Sequence, residues 1–205
     1  MSTSRFSQAI SEGDGISVIP ALEGDVGALT EIAEAGGAEA VAVEADDVER
    51  VRARTGLPII ARYGDPRALS ASGADACIVV FDAVGGGGDL EEVYALAREL
   101  GLDCAVDVGD EDELESALER VDPDIVLISE RKLDRNEEDL ERTLDLLADV
   151  PAGKLVISEA RVVAREQVVA LERAGVDAVL VRDLARGSEF SAALEELVHG
   201  SGAHH

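Results

Sequence analysis

The stretch Gly175-Val176-Asp177-Ala178-Val179-Leu180-Val181 decides the fold. A glycine at the point where a helix must stop is followed at once by an unbroken apolar, β-branched run. Glycine takes the left-handed conformation of a helix C-cap without steric penalty. A continuous apolar run is what a parallel strand covered on both faces requires. The same unit recurs as Gly73-Ala74-Asp75-Ala76 and, more loosely, as Gly37-Ala38-Glu39-Ala40. A recurring helix-Gly-x-acid-Ala-strand unit is a βα repeat.

Working outward, short apolar runs alternate with helical patterns along the chain. The predicted strands are Ile16–Leu22, Glu39–Ala45, Pro58–Tyr63, Ala76–Asp82, Asp103–Val108, Asp124–Ser129, Lys154–Glu159 and Ala178–Asp183. Amphipathic segments lie between them, such as Asp89–Leu100 and Glu137–Val150, the second with Leu140, Leu144 and Leu147 on one face. Gly101 and Gly175 stand at helix C-cap positions. Evenly spaced βα units without a linker predict a compact, single-domain α/β protein, a (β/α)8 TIM barrel. An open doubly wound sheet is the alternative. The barrel is expected over residues 16–199, after a short N-terminal extension (1–15) with a helix around Phe6–Ile10. Residues 200–205 read as a flexible tail, and His204 and His205 as a purification remnant.

Composition narrows the function. The 205 residues carry 44 Asp plus Glu against 18 Lys plus Arg, a net charge of −26, with 46% hydrophobic residues. A core is therefore available despite the charge. The acidity excludes a basic face for nucleic acid and disfavours anionic lipid. No apolar run approaches the roughly 20 residues that span a bilayer. The N-terminal residues contain no stretch suited to a secretory signal, and Cys77 and Cys104 are too few for a disulfide framework. A reducing cytoplasm is the expectation. Only Lys132 and Lys154 are lysines; the other basic residues are arginines. A carboxylate-rich, lysine-poor surface suits a high-salt cytoplasm, where self-repulsion is screened. The chain reads as halophilic.

Barrel chemistry gathers at the C-terminal ends of the strands. Those ends read Glu23, Glu44, Arg62-Tyr63, Asp82, Asp107, Ser129 to Arg131, Glu159 with Arg161, and Arg182-Asp183. Arginines are scarce, yet Arg62, Arg131, Arg161 and Arg182 all fall there. Guanidiniums grouped at one mouth bind carboxylate or phosphate bidentately, and Asp107 and Glu159 would pair with them in the ligand's absence. The glycine run Gly85–Gly88 reads as a flexible loop and, less strongly, as a backbone anion cradle. No histidine lies near a strand end, which disfavours histidine-zinc and Ser-His-Asp chemistry. Divalent-metal chemistry on Glu44, Asp82, Asp107 and Glu159 is opposed by the neighbouring arginines. Cys77 and Cys104 read as packing residues.

Three stretches, Gly101–Glu119, Leu144–Glu159 and Glu166–Val181, resemble indole-3-glycerol phosphate synthase, and the likeness extends more weakly from Ile16 to Val198. With the acidic composition, it is a diverged member of haloarchaeal type that the sequence resembles. The resemblance implies a phosphate-binding barrel that needs no cofactor, whose long N-terminal extension is here mostly absent. Carried over residue by residue, the family's first-strand Glu-x-Lys falls on Ala21 and Glu23, and its third-strand lysine on Arg62. The fifth-strand glutamate becomes Asp107 and the sixth-strand asparagine Ser129, while Arg131 and Glu159 match. The phosphate-holding Ser-Gly becomes Ala160-Arg161, and the eighth-strand Gly-x-Ser becomes Arg182-Asp183-Leu184.

The family's ring closure, with loss of carbon dioxide and water, needs a proton donor near neutral pH. Arginine does not release a proton there, and loss of a general acid typically costs about 10²–10⁴-fold in rate. The lyase activity is therefore expected to be lost. Lys154 starts a strand at the opposite end of the barrel, and Lys132 lies just past a strand end. The expected ligand is a small anionic metabolite, phosphorylated or carboxylated. Arg62, Arg131, Arg161, Arg182 and Ser129 are its binding candidates, and Asp107, Glu159 and Glu23 the acid/base candidates. A non-catalytic barrel serving as scaffold or partner-binding subunit is the alternative.

Overall fold

Each βα unit in the computed structural model is built from the sequence features above. The structure describes residues 5–13, 15–80, 90–129, 139–184 and 189–200. In chain order the elements are α1 (Arg5–Ser11), β1 (Ser17–Pro20), α2 (Val26–Ala35), β2 (Val41–Glu44), a 3₁₀ turn (Ala45–Asp47) and α3 (Val48–Arg52). There follow β3 (Ile59–Arg62), α4 (Pro66–Ser72), β4 (Ala76–Val80), α5 (Leu90–Glu99), β5 (Asp103–Val108) and α6 (Glu111–Arg120). The chain continues with β6 (Ile125–Ser129), α7 (Asp139–Leu147), β7 (Leu155–Glu159), α8 (Arg165–Ala174), β8 (Ala178–Val181) and α9 (Glu189–His199). Every predicted strand is present. The end of the fourth at Asp82, the glycines Gly85–Gly88, and Arg131, Lys132, His204 and His205 lie outside the described residues.

The strands form one parallel sheet in the order β1-β8-β7-β6-β5-β4-β3-β2. Its two ends meet: Ala21 bridges Ala42 in parallel, and the Leu22 N–H donates to Ala42 O at 2.8 Å. The sheet is a closed (β/α)8 barrel, and the open doubly wound alternative is set aside. Side chains alternate between two cores, as the period of a strand demands. Ile19, Ala42, Ile60, Ile78, Ala105, Leu127, Ile157 and Leu180 belong to a cluster fed by every strand, the barrel interior. Their neighbours Val18, Val43, Ala61, Val79, Val106, Ile128, Val156 and Val179 pack outward against the helices.

The acid of the repeated unit has a structural task. Asp75 Oδ2 accepts the Ile59 N–H at 2.9 Å, and Asp177 Oδ2 accepts that of Val156 at 2.7 Å. Glu39 accepts from the Ser17 hydroxyl. Each acid thus ties its own strand to the base of the strand before it. The glycine ahead of it turns the chain: Gly73 and Gly175 are left-handed C-caps with φ of 94° and 104°. Asp177 is partly buried, which raises its carboxyl above the usual aspartate range, while the Val156 N–H pulls the other way.

The helix expected near Phe6 is α1, and it seals the N-terminal end of the barrel. Phe6 and Ile10 are fully buried and belong to the interior cluster. The Ser7 N–H donates to Asp103 Oδ2 at 2.7 Å, and Arg5 donates to Gly56 O. In α7 the apolar face differs from the expected one. Leu144 is exposed, whereas Thr143 and Leu146 are buried, with Leu147 and Val150 packed on the core. A hydroxyl pair sets this rotation: Thr143 Oγ1 lies 3.3 Å from Ser158 Oγ on the outer face of β7. Cys77 and Cys104 are register partners on β4 and β5, both buried in the outer core. The Cys77 thiol and burial together push the Cys104 thiol well up, so it stays protonated and inert. None of the described helices is long and apolar enough to cross a membrane.

Candidate functional site

On six of the eight strands the interior file changes from apolar to polar or charged at the C-terminal end, while β1 and β4 lead to Ala21 and Val80. Residues two positions beyond the apolar interior layer carry the same inward parity. Thus Ala42 leads to Glu44, Ile60 to Arg62, Ala105 to Asp107, Leu127 to Ser129, Ile157 to Glu159 and Leu180 to Arg182. Register sets them side by side: Glu44 pairs with Arg62, and Ser129 with Glu159. Asp N-caps on the same rim fix the helices that follow. Asp65 accepts the Arg67 N–H at 2.7 Å and Asp110 that of Glu113 at 2.9 Å.

Arg62 is 4% exposed and forms the floor of this mouth. Its Nη1 lies 3.5 Å from Glu44 Oε1 and its Nη2 3.3 Å from Glu159 Oε1. The guanidinium also lies over the Tyr63 ring, 5.6 Å from its centroid. Arg182 Nε reaches the same Glu159 Oε1 at 3.3 Å, with half of its side chain exposed. One carboxylate oxygen therefore stands between two guanidiniums, one buried and one open to solvent.

Above this floor is a cavity of about 320 Å³ lined by Tyr63, Asp107, Glu159, Ala160, Arg161, Arg182 and Asp183. Tyr63 and Asp183 hold positive φ of 57° and 55°, followed in the first case by Gly64 at 142°. Left-handed backbone at a non-glycine residue costs about 1–2 kcal/mol. Here it turns the chain sharply off β3 and β8, placing both residues on the cavity wall. Ser129 is buried beneath the mouth, and its Oγ has no hydrogen-bond partner among the described residues.

Of the residues singled out from sequence, Asp107, Glu159, Arg161 and Arg182 come together on the cavity wall. Arg62 and Ser129 lie below it. Glu23 is exposed and is not on the wall. Arg131 lies outside the described residues. Lys154 is far from the mouth: its Nζ binds Asp122 Oδ1 at 2.6 Å and Pro123 O at 2.9 Å, at the start of β7. The two-residue period of each strand gives the inward direction of Glu44, Arg62, Asp107, Ser129, Glu159 and Arg182, while wall and floor differ only by distances across the barrel. Among the described residues, no three His, Cys, Asp or Glu side chains group as metal ligands would.

A closed parallel sheet of eight strands, with arginines and carboxylates gathered at the C-terminal mouth, defines the class as a (β/α)8 barrel. The family pattern described as indole-3-glycerol phosphate synthase matches residues 65–197, more than half of the chain, and the chain belongs to that family. Solved structures agree on the fold. A tryptophan synthase α-subunit variant from Pyrococcus furiosus superposes with a TM-score of 0.68 at 20% identity, over 89% of this chain and 97% of the other. Thiamine phosphate pyrophosphorylase from the same organism gives 0.67 at 16% identity, over 89% and 94%. N-acetylmannosamine-6-phosphate 2-epimerase from Clostridium perfringens gives 0.67 at 17%, over 80% and 85%.

Proposed function

We propose that the chain binds a small phosphorylated or carboxylated metabolite at the barrel mouth and no longer carries out the ring closure its family is named for. The observation that carries this reading is the cavity wall, where Arg161 and Arg182 stand beside Asp107 and Glu159 above the buried Arg62. The two arginines are the ligand's anion partners, joined by Arg131, two residues past Ser129 in the sequence. Arg62 orders the floor, Ser129 offers a hydroxyl from below, and Asp107 is the inward acid/base group. Glu23 fills the position of a family lysine without reaching the wall. The relatives named above support the anionic class, since two of them are named for phosphorylated compounds. The protein works in a salt-rich cytoplasm, without a cofactor.

The test is thermal denaturation in molar KCl with phosphorylated and carboxylated metabolites. A member of the panel is expected to raise the melting temperature, and Arg161→Gln to abolish the shift. No shift with any of them, together with indole-3-glycerol phosphate formation at an ordinary enzymatic rate, would overturn the proposal. The ion pairs joining Arg62 to Glu44 and Glu159 favour a second reading, a scaffold barrel whose mouth is closed by its own charges. On that reading the traces stay flat and no turnover is seen.

A further inference from the structure

Glu159 stands where a bound anion would stand. Its Oε1 faces Arg62 Nη2 and Arg182 Nε, each at 3.3 Å. The two contacts differ in access. Arg62 is buried and also holds Glu44, whereas Arg182 is half exposed and lines the cavity. Both contacts to Glu159 are longer than the roughly 2.7–2.9 Å of a strong charge-assisted hydrogen bond. The Arg182 contact runs through Nε to a single oxygen, whereas a phosphate can engage a guanidinium bidentately. A half-exposed ion pair of this kind is worth little. Losing Arg182 would not strand Glu159, because Arg62 remains beside it.

We propose that Glu159 is an internal competitor for the ligand: an arriving phosphate group takes Arg182 over from it, and Glu159 stays on Arg62. This rests on the reading of the mouth as an anion site. Glu159 then sets how strongly charged a ligand must be. A dianion displaces the resident carboxylate more readily than a monocarboxylate does, and Asp107 and Asp183 on the same wall add to the repulsion that any anion must overcome.

The experiment is titration with inorganic phosphate in KCl, followed by calorimetry, on the unaltered protein, Glu159→Gln and Arg182→Gln. Removing the competitor is expected to tighten phosphate binding about tenfold, the factor that about 1.4 kcal/mol represents, and Arg182→Gln to lose it. Phosphate binding that Glu159→Gln weakens or leaves unchanged overturns the competitor role while the anion site stands. Absence of binding in both the unaltered protein and Glu159→Gln overturns the anion site itself, and the competitor with it. Should Glu159→Gln fail to fold, the arginine Nε–H resonances of the unaltered protein decide. Phosphate is expected to shift that of Arg182 and leave that of Arg62 in place; binding without an Arg182 shift overturns the proposal.

Discussion

Replacing Phe6 by alanine tests whether α1 is part of the barrel core or an appendage. Phe6 is fully buried among interior residues drawn from all the strands. An aromatic side chain buries about 150–250 Å², which at about 25 cal/mol per Å² is about 4–6 kcal/mol. Compactness of the unfolded chain lowers that figure by about 10–40%, and alanine keeps the Cβ, leaving about 3 kcal/mol. Core Phe→Ala replacements cost about 3–5 kcal/mol, a large share of the about 5–15 kcal/mol that holds a domain together. A ceiling also exists. The helix has seven residues, too few to stand alone in water, so once Phe6 is gone α1 can undock and the loss stops at its docking energy. Urea denaturation in molar KCl, with tryptophan-free detection by circular dichroism, gives the difference directly. Hydrogen exchange at Ser7, whose N–H is held by Asp103, should rise at the same time. A loss below about 1 kcal/mol, with Ser7 still protected, would refute the role of α1 as a core element.

Two further outcomes follow from the charges. Burial raises the carboxyl of Asp177, so the folded state holds its proton more tightly than the unfolded chain does. Its stabilising contribution is complete below the ordinary aspartate range and lost as pH rises through the raised value. Asp177→Asn keeps a carbonyl for the Val156 N–H and removes the charge. It should therefore stabilise the protein at pH 7 by less than about 1 kcal/mol for so partly buried a group, read as a higher melting temperature, and the gain should vanish below about pH 4. A gain that persists at acid pH would count against burial as the cause. With a net charge of −26, stability measured by urea denaturation should climb as KCl rises from about 0.1 M to 1 M, where the Debye length falls from about 10 to 3 Å. A flat or falling curve would contradict the salt-adapted reading.

The strands were legible as short apolar runs, several of them opened by a helix-ending glycine such as Gly73 or Gly175. The repeated Gly-x-acid-Ala unit was legible as a period, though not as a device: nothing in the letters says that Asp177 reaches back to Val156. On α7, leucine spacing alone points Leu144 inward, whereas Thr143 is buried against Ser158 and Leu144 is exposed. At the mouth, the charges could be found by position, since strand ends face one rim. Their pairing could not. Arg62 sinks to the floor and Arg182 stays in the wall, yet both come within 3.3 Å of Glu159 Oε1, a convergence across the barrel that no spacing along the chain encodes. Glu23 shows the same limit from the other side, since proximity to a strand end did not put it on the cavity wall.

The plug formed by α1 has an electrical consequence. With Phe6 and Ile10 filling one end, the charged floor of Arg62 and Glu159 is backed by hydrocarbon and meets water in one direction. Field lines from such a layer are squeezed away from the weakly polarisable side and leave through the open end. The barrel thus acts as a one-ended electrode, projecting the charge pattern of its mouth into solvent, so small ions would sense the arginines and carboxylates there before touching them.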